Sequence, residues 1–202
     1  MGSVTSKGWE DLEKLKQRIL SDGRALSESV LLVDSFLNHQ VDPVLMKQVG
    51  EEFAARFSGA GIEKIATIES SGIAPAVMTA LLMNLPMVIL KKQVSAIMKE
   101  GIIQTEVFSF TKNSCYLLTL KSQFIRPGER VLVIDDFLAN GEAAFGAIRL
   151  IEQAGGQVAG IGAVIAKAFQ DGMKKLRGAG YRVEALAPVK SMRENTIEFR
   201  ED

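Results

Sequence analysis

The sequence predicts an α/β fold in which a parallel sheet is flanked by helices, on three observations. Apolar runs at 62–68, 87–90, 131–134, 158–165 and 183–186 are short and lack polar alternation, the pattern of strands buried on both faces. Helical stretches stand between most of these runs, which is what parallel neighbours need, because each crossover consumes a helix's length of chain. A length of 202 residues suffices for one well-buried domain and leaves little for a second.

The elements follow in order. Residues 1–8 (MGSVTSKG) read as a poorly ordered stretch or an appended remnant and are set aside. Trp9, Leu12, Leu15, Ile19 and Leu20 form a helical stripe that Ser21-Asp22-Gly23 ends. Val30 to Val33 reads as a short strand. Pro43 at a first helical position after Asp42, a good N-cap, opens a helix that runs to about Phe57. After the strand at 62–68, Glu69-Ser70-Ser71-Gly72 leads into a helix at 73–83, which Pro75 is expected to interrupt. Between Lys91 and Thr105 periodicity fails. Residues 107–110, 115–120 and 124–125 read as antiparallel strands with a turn at Lys112-Asn113-Ser114. The run at 131–134 precedes a helix over 142–154 that Gly155-Gly156 stops. A strand at 158–165 carries two glycines, a short helix covers 170–178, and 183–186 is a last strand.

Composition narrows the function classes. Acidic and basic residues number 24 each, so nothing marks a nucleic-acid or anionic-membrane surface. The apolar runs are far too short to cross a bilayer, and a cytoplasmic enzyme or binding protein fits. The single cysteine, Cys115, lies in the apolar run CYLLTL and reads as a buried strand residue. With one histidine, His39, there is no metal-ligand cluster and no Ser/His/Cys constellation.

The most informative stretch is VLVIDDFLANGEAAFGAI, residues 131–148. Ligands of open α/β folds bind beyond the carboxyl ends of the strands, and Asp135 and Asp136 sit at such an end. Ala139, Asn140, Gly141, Glu142 and Ala143 follow, where N–H groups at a helix N-terminus can hold a phosphate. Acidic residues also follow buried strands simply because the chain surfaces there. Ser70-Ser71-Gly72 repeats the design of strand, small polar loop and helix start. Together these features suit a ligand carrying phosphates and either a polyol or a metal.

Three segments carry a resemblance: residues 131–148, VDSFLNHQVDP (33–43) and AVIAKAFQDG (163–172). Over about residues 26–198 the chain resembles the type I phosphoribosyltransferases, closest to the bacterial xanthine phosphoribosyltransferases. The Ala-Asn-Gly-Glu-Ala loop departs from the common Thr-Gly-Gly-Thr form but matches that branch. The resemblance implies a parallel sheet with a small hood, from about 9–40 and 168–202, and a flexible β-hairpin loop. It implies transfer of phosphoribosyl from 5-phosphoribosyl 1-diphosphate to xanthine, giving xanthosine 5′-monophosphate and diphosphate in purine salvage.

It also implies roles. Ala139, Asn140, Gly141, Glu142 and Ala143 would take the 5′-phosphate. Asp135 and Asp136 would be catalytic, facing the ribose hydroxyls and, through water, the Mg²⁺ that accompanies the substrate. Ser70, Ser71 and Gly72 would hold the departing diphosphate, with Lys91 or Lys92 adding charge unless both are merely solvated. Leu31, Asn38 and Lys167 would contact the purine, Asn38 at its 2-oxo group and Lys167 at its 6-oxygen. Phe169 packs near the base or joins the core. Residues 91–105 resemble the family's mobile cover, although Val94, Ile97, Met98, Ile102 and Ile103 make it unusually apolar. A homodimer is expected from the family. Alternatives are an adenine phosphoribosyltransferase, which Lys167 opposes, a phosphoribosyl-diphosphate-binding regulator, which the absence of a basic N-terminal domain opposes, and an inactive paralogue.

Overall fold

The computed structural model describes residues 6–92, 100–110 and 113–200, with side chains from residue 13 onward. Six strands form the central sheet: β3 (Lys64–Ile68), β4 (Met87–Leu90), β7 (Arg130–Leu138), β8 (Gln157–Lys167), β9 (Val183–Arg193) and β10 (Thr196–Phe199). Their order is β10-β9-β8-β7-β3-β4, parallel throughout except for β10, which runs antiparallel at one edge.

The lack of polar alternation in these strands has a direct consequence. Side chains alternate between faces, so a strand apolar at every position must be covered on both. Ile65, Leu132 and Ile134 join one core with α1 (Ser6–Asp22), α2 (Pro43–Arg56) and α3 (Ile73–Met83). Ala66, Val131 and Val133 join the other, under α4 (Glu142–Gln153), α5 (Gly172–Gly178) and the hairpin of β5 (Ile102–Ser109) and β6 (Ser114–Lys121). The two glycines of β8 have a packing role: a side chain at Gly160 or Gly162 would collide with the rings of Phe57 and Phe53.

Several helix ends sit where their chemistry puts them. Asp42 Oδ1 accepts from the N–H groups of Val44 (3.0 Å) and Leu45 (3.1 Å), with Pro43 at the first helical position. Pro75 does not interrupt α3. It lies in the first turn, where a missing N–H leaves no intrahelical bond unmade, and its carbonyl accepts from Thr79 Oγ1 at 2.8 Å.

Other expectations need correction. The first helix begins at Ser6, so the stretch set aside at 1–8 ends within a helix, and residues 1–5 lie outside the described residues. Only Leu31 and Leu32 of the segment 30–33 are strand, β2 (Leu31–Leu32), paired with β1 (Arg24–Ala25), and a π-helix follows at Asp34–Asn38. Phe124 closes a 3-10 turn, Ser122–Phe124, and is not in a strand. Cys115 is exposed, because it falls on the outward face of a two-stranded hairpin whose other face packs on α4. Strand β9 runs seven residues past Leu186 and pairs with β10, a partner hidden from local pattern by Pro188 and the polar turn at Asn195. The expected aperiodic stretch ends at Ile102, where β5 starts. Val94, Ile97 and Met98 lie outside the described residues.

Candidate active site

Strand order decides which loops meet. With β7 central between β3 and β8, the loop after β3, the loop after β7 and the end of β8 lie side by side at one edge of the sheet. Residues 69–72, residues 139–143 and Lys167 are therefore neighbours, although almost a hundred positions separate the first from the last.

The loop after β7 is built by close backbone approach. Gly141 adopts φ +89, a conformation that favours glycine, and caps the N-terminus of α4. Ala139 O accepts from Gly172 N at 3.0 Å, which ties the loop to the start of α5. A Cβ on Gly172 would overlap Ala139 O and lie 2.8 Å from Gly141 N. No side chain caps the helix start by accepting a hydrogen bond from it, so the first N–H groups of α4 remain available to an anion.

The two adjacent carboxylates interact with each other but have different surroundings. Asp135 lines the cleft with Ala139, Asn140, Gly141, Glu142 and Ala143, and Asp136 does not. Burial pushes the Asp135 carboxyl well above the usual carboxylate range. The charge and hydrogen bond of Asp136 push the same way, against the Asp136 N–H (3.0 Å to Oδ1) and the charge of Lys92. Asp136 lies on the side of Lys167, whose ammonium its charge favours. Gly72 lies against Asp135: a Cβ there would sit 2.7 Å from Asp135 Oδ1 and overlap Thr67 Oγ1. Thr67 is fully buried, and its hydroxyl has no hydrogen-bond partner among the described residues. Ser70 is exposed and Ser71 half-buried, beside a cis Glu69-Ser70 peptide.

The raised carboxyl of Asp135 carries a stability cost with a definite sign. Between its ordinary pKa near about 3.9 and its higher folded value, the unfolded chain is ionised while the folded chain keeps its proton. Stability therefore falls as pH rises through that window and stays lower above it. Asp135→Asn is expected to stabilise the ligand-free protein at pH 7.5 by on the order of 1 kcal/mol, about 2–4 °C in Tm. Thermal melts should show the gain vanish below about pH 4, and an equal gain at both pH values would contradict this.

The two lysines after β4 differ. Lys91 Nζ pairs with Glu69 Oε2 at 3.4 Å, whereas Lys92 lines the cleft and stands 5.6 Å from the Tyr116 ring. Lys92 N also donates to Glu69 Oε1. Phe108, Phe110 and Tyr116 of the hairpin and Phe137 of β7 complete the lining. Sequence reasoning missed these four, because nothing local says that the hairpin folds back over the loop after β7. Arg149 of α4 holds it there, donating to Thr105 Oγ1 and to Glu106 O, both at 2.9 Å.

At the end of β8, Lys167 Nζ donates to Ser29 O at 2.6 Å and stands 5.5 Å from the Phe137 ring. Burial draws its pKa down and Asp136 opposes that. An ammonium has three N–H donors, so two remain for a ligand between the strand end and the Ser29 segment. Leu31 is 8% exposed and packs in the core, Asn38 is exposed at the end of the π-helix, and Phe169 is 41% exposed.

No protein-family model matches the chain. Among the described residues no helix is long and apolar enough to cross a membrane. Relatives are found in full length. The chain is 57% identical over 188 residues to xanthine phosphoribosyltransferase 1 of Clostridium botulinum, covering 93% of this chain and 99% of that protein. It is 57% identical to the xanthine phosphoribosyltransferase of Clostridium acetobutylicum (93% and 100% covered) and 53% identical to that of an Exiguobacterium species (94% and 98% covered). Among solved structures, adenine phosphoribosyltransferase of Rhodothermus marinus superposes with TM-score 0.72 at 25% identity, over 89% of this chain and 99% of that one. The Saccharomyces cerevisiae adenine phosphoribosyltransferase gives 0.71 at 20% identity, over 88% and 99%. The parallel sheet of this chain is thus that of the type I phosphoribosyltransferases, and the chain belongs to the xanthine phosphoribosyltransferase family.

Proposed function

We infer that the protein is a pentosyltransferase that converts xanthine and 5-phosphoribosyl 1-diphosphate to xanthosine 5′-monophosphate and diphosphate, a purine-salvage reaction. The observation that carries the choice of base is Lys167, a half-buried ammonium at the end of the strand next to the phosphate-type loop. It can donate to the 6-oxygen of an oxopurine. Adenine offers an amino group there, which would face a buried donor with a donor.

The substrate's 5′-phosphate would lie on the N–H groups at the start of α4, with residues 139–143 around it. A purine ring nitrogen forms a bond to the anomeric carbon as the bond to diphosphate oxygen breaks. Positive character builds on the ribose ring and negative charge on the leaving group. Catalysis comes from holding the two reactants in line, charge complementarity and exclusion of water, with no covalent intermediate required. Ser70, Ser71 and Gly72, with Lys92 beside them, would receive the diphosphate. Asp135 and Asp136 would face the ribose. No group of three or more acidic, histidine or cysteine side chains suited to a metal occurs among the described residues. A pair of carboxylates fits a Mg²⁺ that enters on the substrate's diphosphate and keeps most of its waters. When bound, that ion supplies countercharge to the diphosphate.

Residues 9–40 and 168–202 would act as the hood over the base, and a cytoplasmic homodimer is the proposed working form. Turnover with Mg²⁺, phosphoribosyl diphosphate and, in parallel, xanthine, guanine, hypoxanthine and adenine tests the reading. Strong preference for xanthine supports it. Turnover of adenine alone, or of no base, would overturn it. Asn38→Ala should reduce kcat/KM for xanthine by about 1–2 kcal/mol, roughly 5- to 30-fold, and spare hypoxanthine, which lacks the 2-oxo group. Equal losses for both bases would remove Asn38 from the pocket.

A further inference from the structure

A cavity of about 310 Å³, sharing no lining residue with the cleft, opens between the end of α2, α5 and the half of β9 that β10 leaves unpaired. Arg56, Arg177, Arg200 and Glu184 line it over a floor that includes Met173 and Pro188. The charges do not cancel. Arg56 Nε donates to Glu52 at 2.7 Å, and Glu184 accepts from Arg182 at 3.0 Å. Each carboxylate thus has its own guanidinium, with a weaker Arg56–Glu184 contact at 3.4 Å joining the pairs. Among the described residues, that leaves Arg177 and Arg200 in excess. Arg177 donates to a backbone carbonyl, Val183 O at 2.9 Å, and the Arg200 side chain has no partner among the described residues. Two guanidinium groups that pair with no carboxylate among the described residues face one concavity and repel each other, and a multiply charged oxyanion relieves that repulsion with paired N–H donors.

We propose that this cavity is an effector site for a phosphate-bearing anion, held by Arg177 and Arg200. The wall between it and the active site is one short segment. Ala168, which lines the cavity, follows Lys167, and Met173, which also lines it, follows Gly172. An anion seated behind this segment bears on the purine lysine and on the glycine that braces the phosphate-type loop.

The test uses the full chain with the cleft filled by saturating xanthosine 5′-monophosphate, whose own binding is titrated first, so a failure of the proposed function is seen separately. Inorganic triphosphate is then titrated calorimetrically at ionic strength held constant with chloride. One further binding event is expected, weakened at least about tenfold by Arg200→Glu and by Arg177→Gln, with both variants still binding xanthosine 5′-monophosphate in the absence of triphosphate. Because linkage is reciprocal, triphosphate should also change the affinity for xanthosine 5′-monophosphate, and Arg200→Glu should remove that change. No heat beyond the chloride control, binding indifferent to both substitutions, or binding that leaves the nucleotide affinity of wild type and Arg200→Glu equally affected would each overturn the proposal.

Discussion

Lys167→Ala is expected to lower kcat/KM for xanthine by about 2–4 kcal/mol, roughly 30- to 1000-fold, and to leave the poor activity with adenine unchanged or higher. The size follows from where the ammonium sits. It is withdrawn from water enough for burial to lower its pKa, it lies against the Phe137 ring, and it spends one donor on Ser29 O. A charged donor in such a place discriminates strongly, because a purine oxygen left without it loses a charge-assisted hydrogen bond that water no longer replaces. Loss of the Ser29 contact also loosens the segment joining β1 and β2, so KM should rise more than kcat falls. Parallel kinetics with the four bases check this. An unchanged base preference would remove Lys167 from purine recognition.

Gly172→Ala is expected to cost about 10²-fold in kcat/KM for phosphoribosyl diphosphate, with the dissociation constant for the purine little changed. The added methyl would occupy the space of Ala139 O and press on Gly141 N, and both atoms are backbone. A flexible side chain can swing aside, but here the loop itself has to move. Its displacement misplaces the N–H groups meant for the 5′-phosphate, and an error of about 1 Å is enough for the stated loss. Gly178→Ala serves as control, since a Cβ there meets nothing within 4 Å. A wild-type KM for phosphoribosyl diphosphate in folded Gly172→Ala protein would show that the brace does not matter.

Both predictions rest on residues whose types were legible in the chain and whose partners were not. The end of β8 could be read from the buried run before Lys167. Ser29, 138 positions away, could not. Gly141 announces a turn by its type, while the need for glycine at 172 comes from a carbonyl 33 residues earlier, across a helix and a strand. Cys115 shows the opposite failure. An apolar run suggested burial, but a two-stranded hairpin has one face for the core and one for water, and only its packing on α4 chooses which residues are which.

The sequence by itself determined the local elements. Strands apolar on both faces, the Asp42-Pro43 helix start, the Gly-bearing loop after 131–138 and the acidic pair are properties of neighbouring residues, and short-range sterics and hydrogen bonding suffice to set them. Tertiary structure decided what those elements do together. Strand order sets the loops after β3 and β7 beside the end of β8. The pleat turns Asp135 into the cleft and Asp136 toward Lys167, and the fold of the hairpin onto α4 brings Tyr116 and Phe108 over the loop. These are contacts between segments far apart in the chain. Their energies depend on which surfaces bury each other, a quantity that no window of neighbouring residues contains.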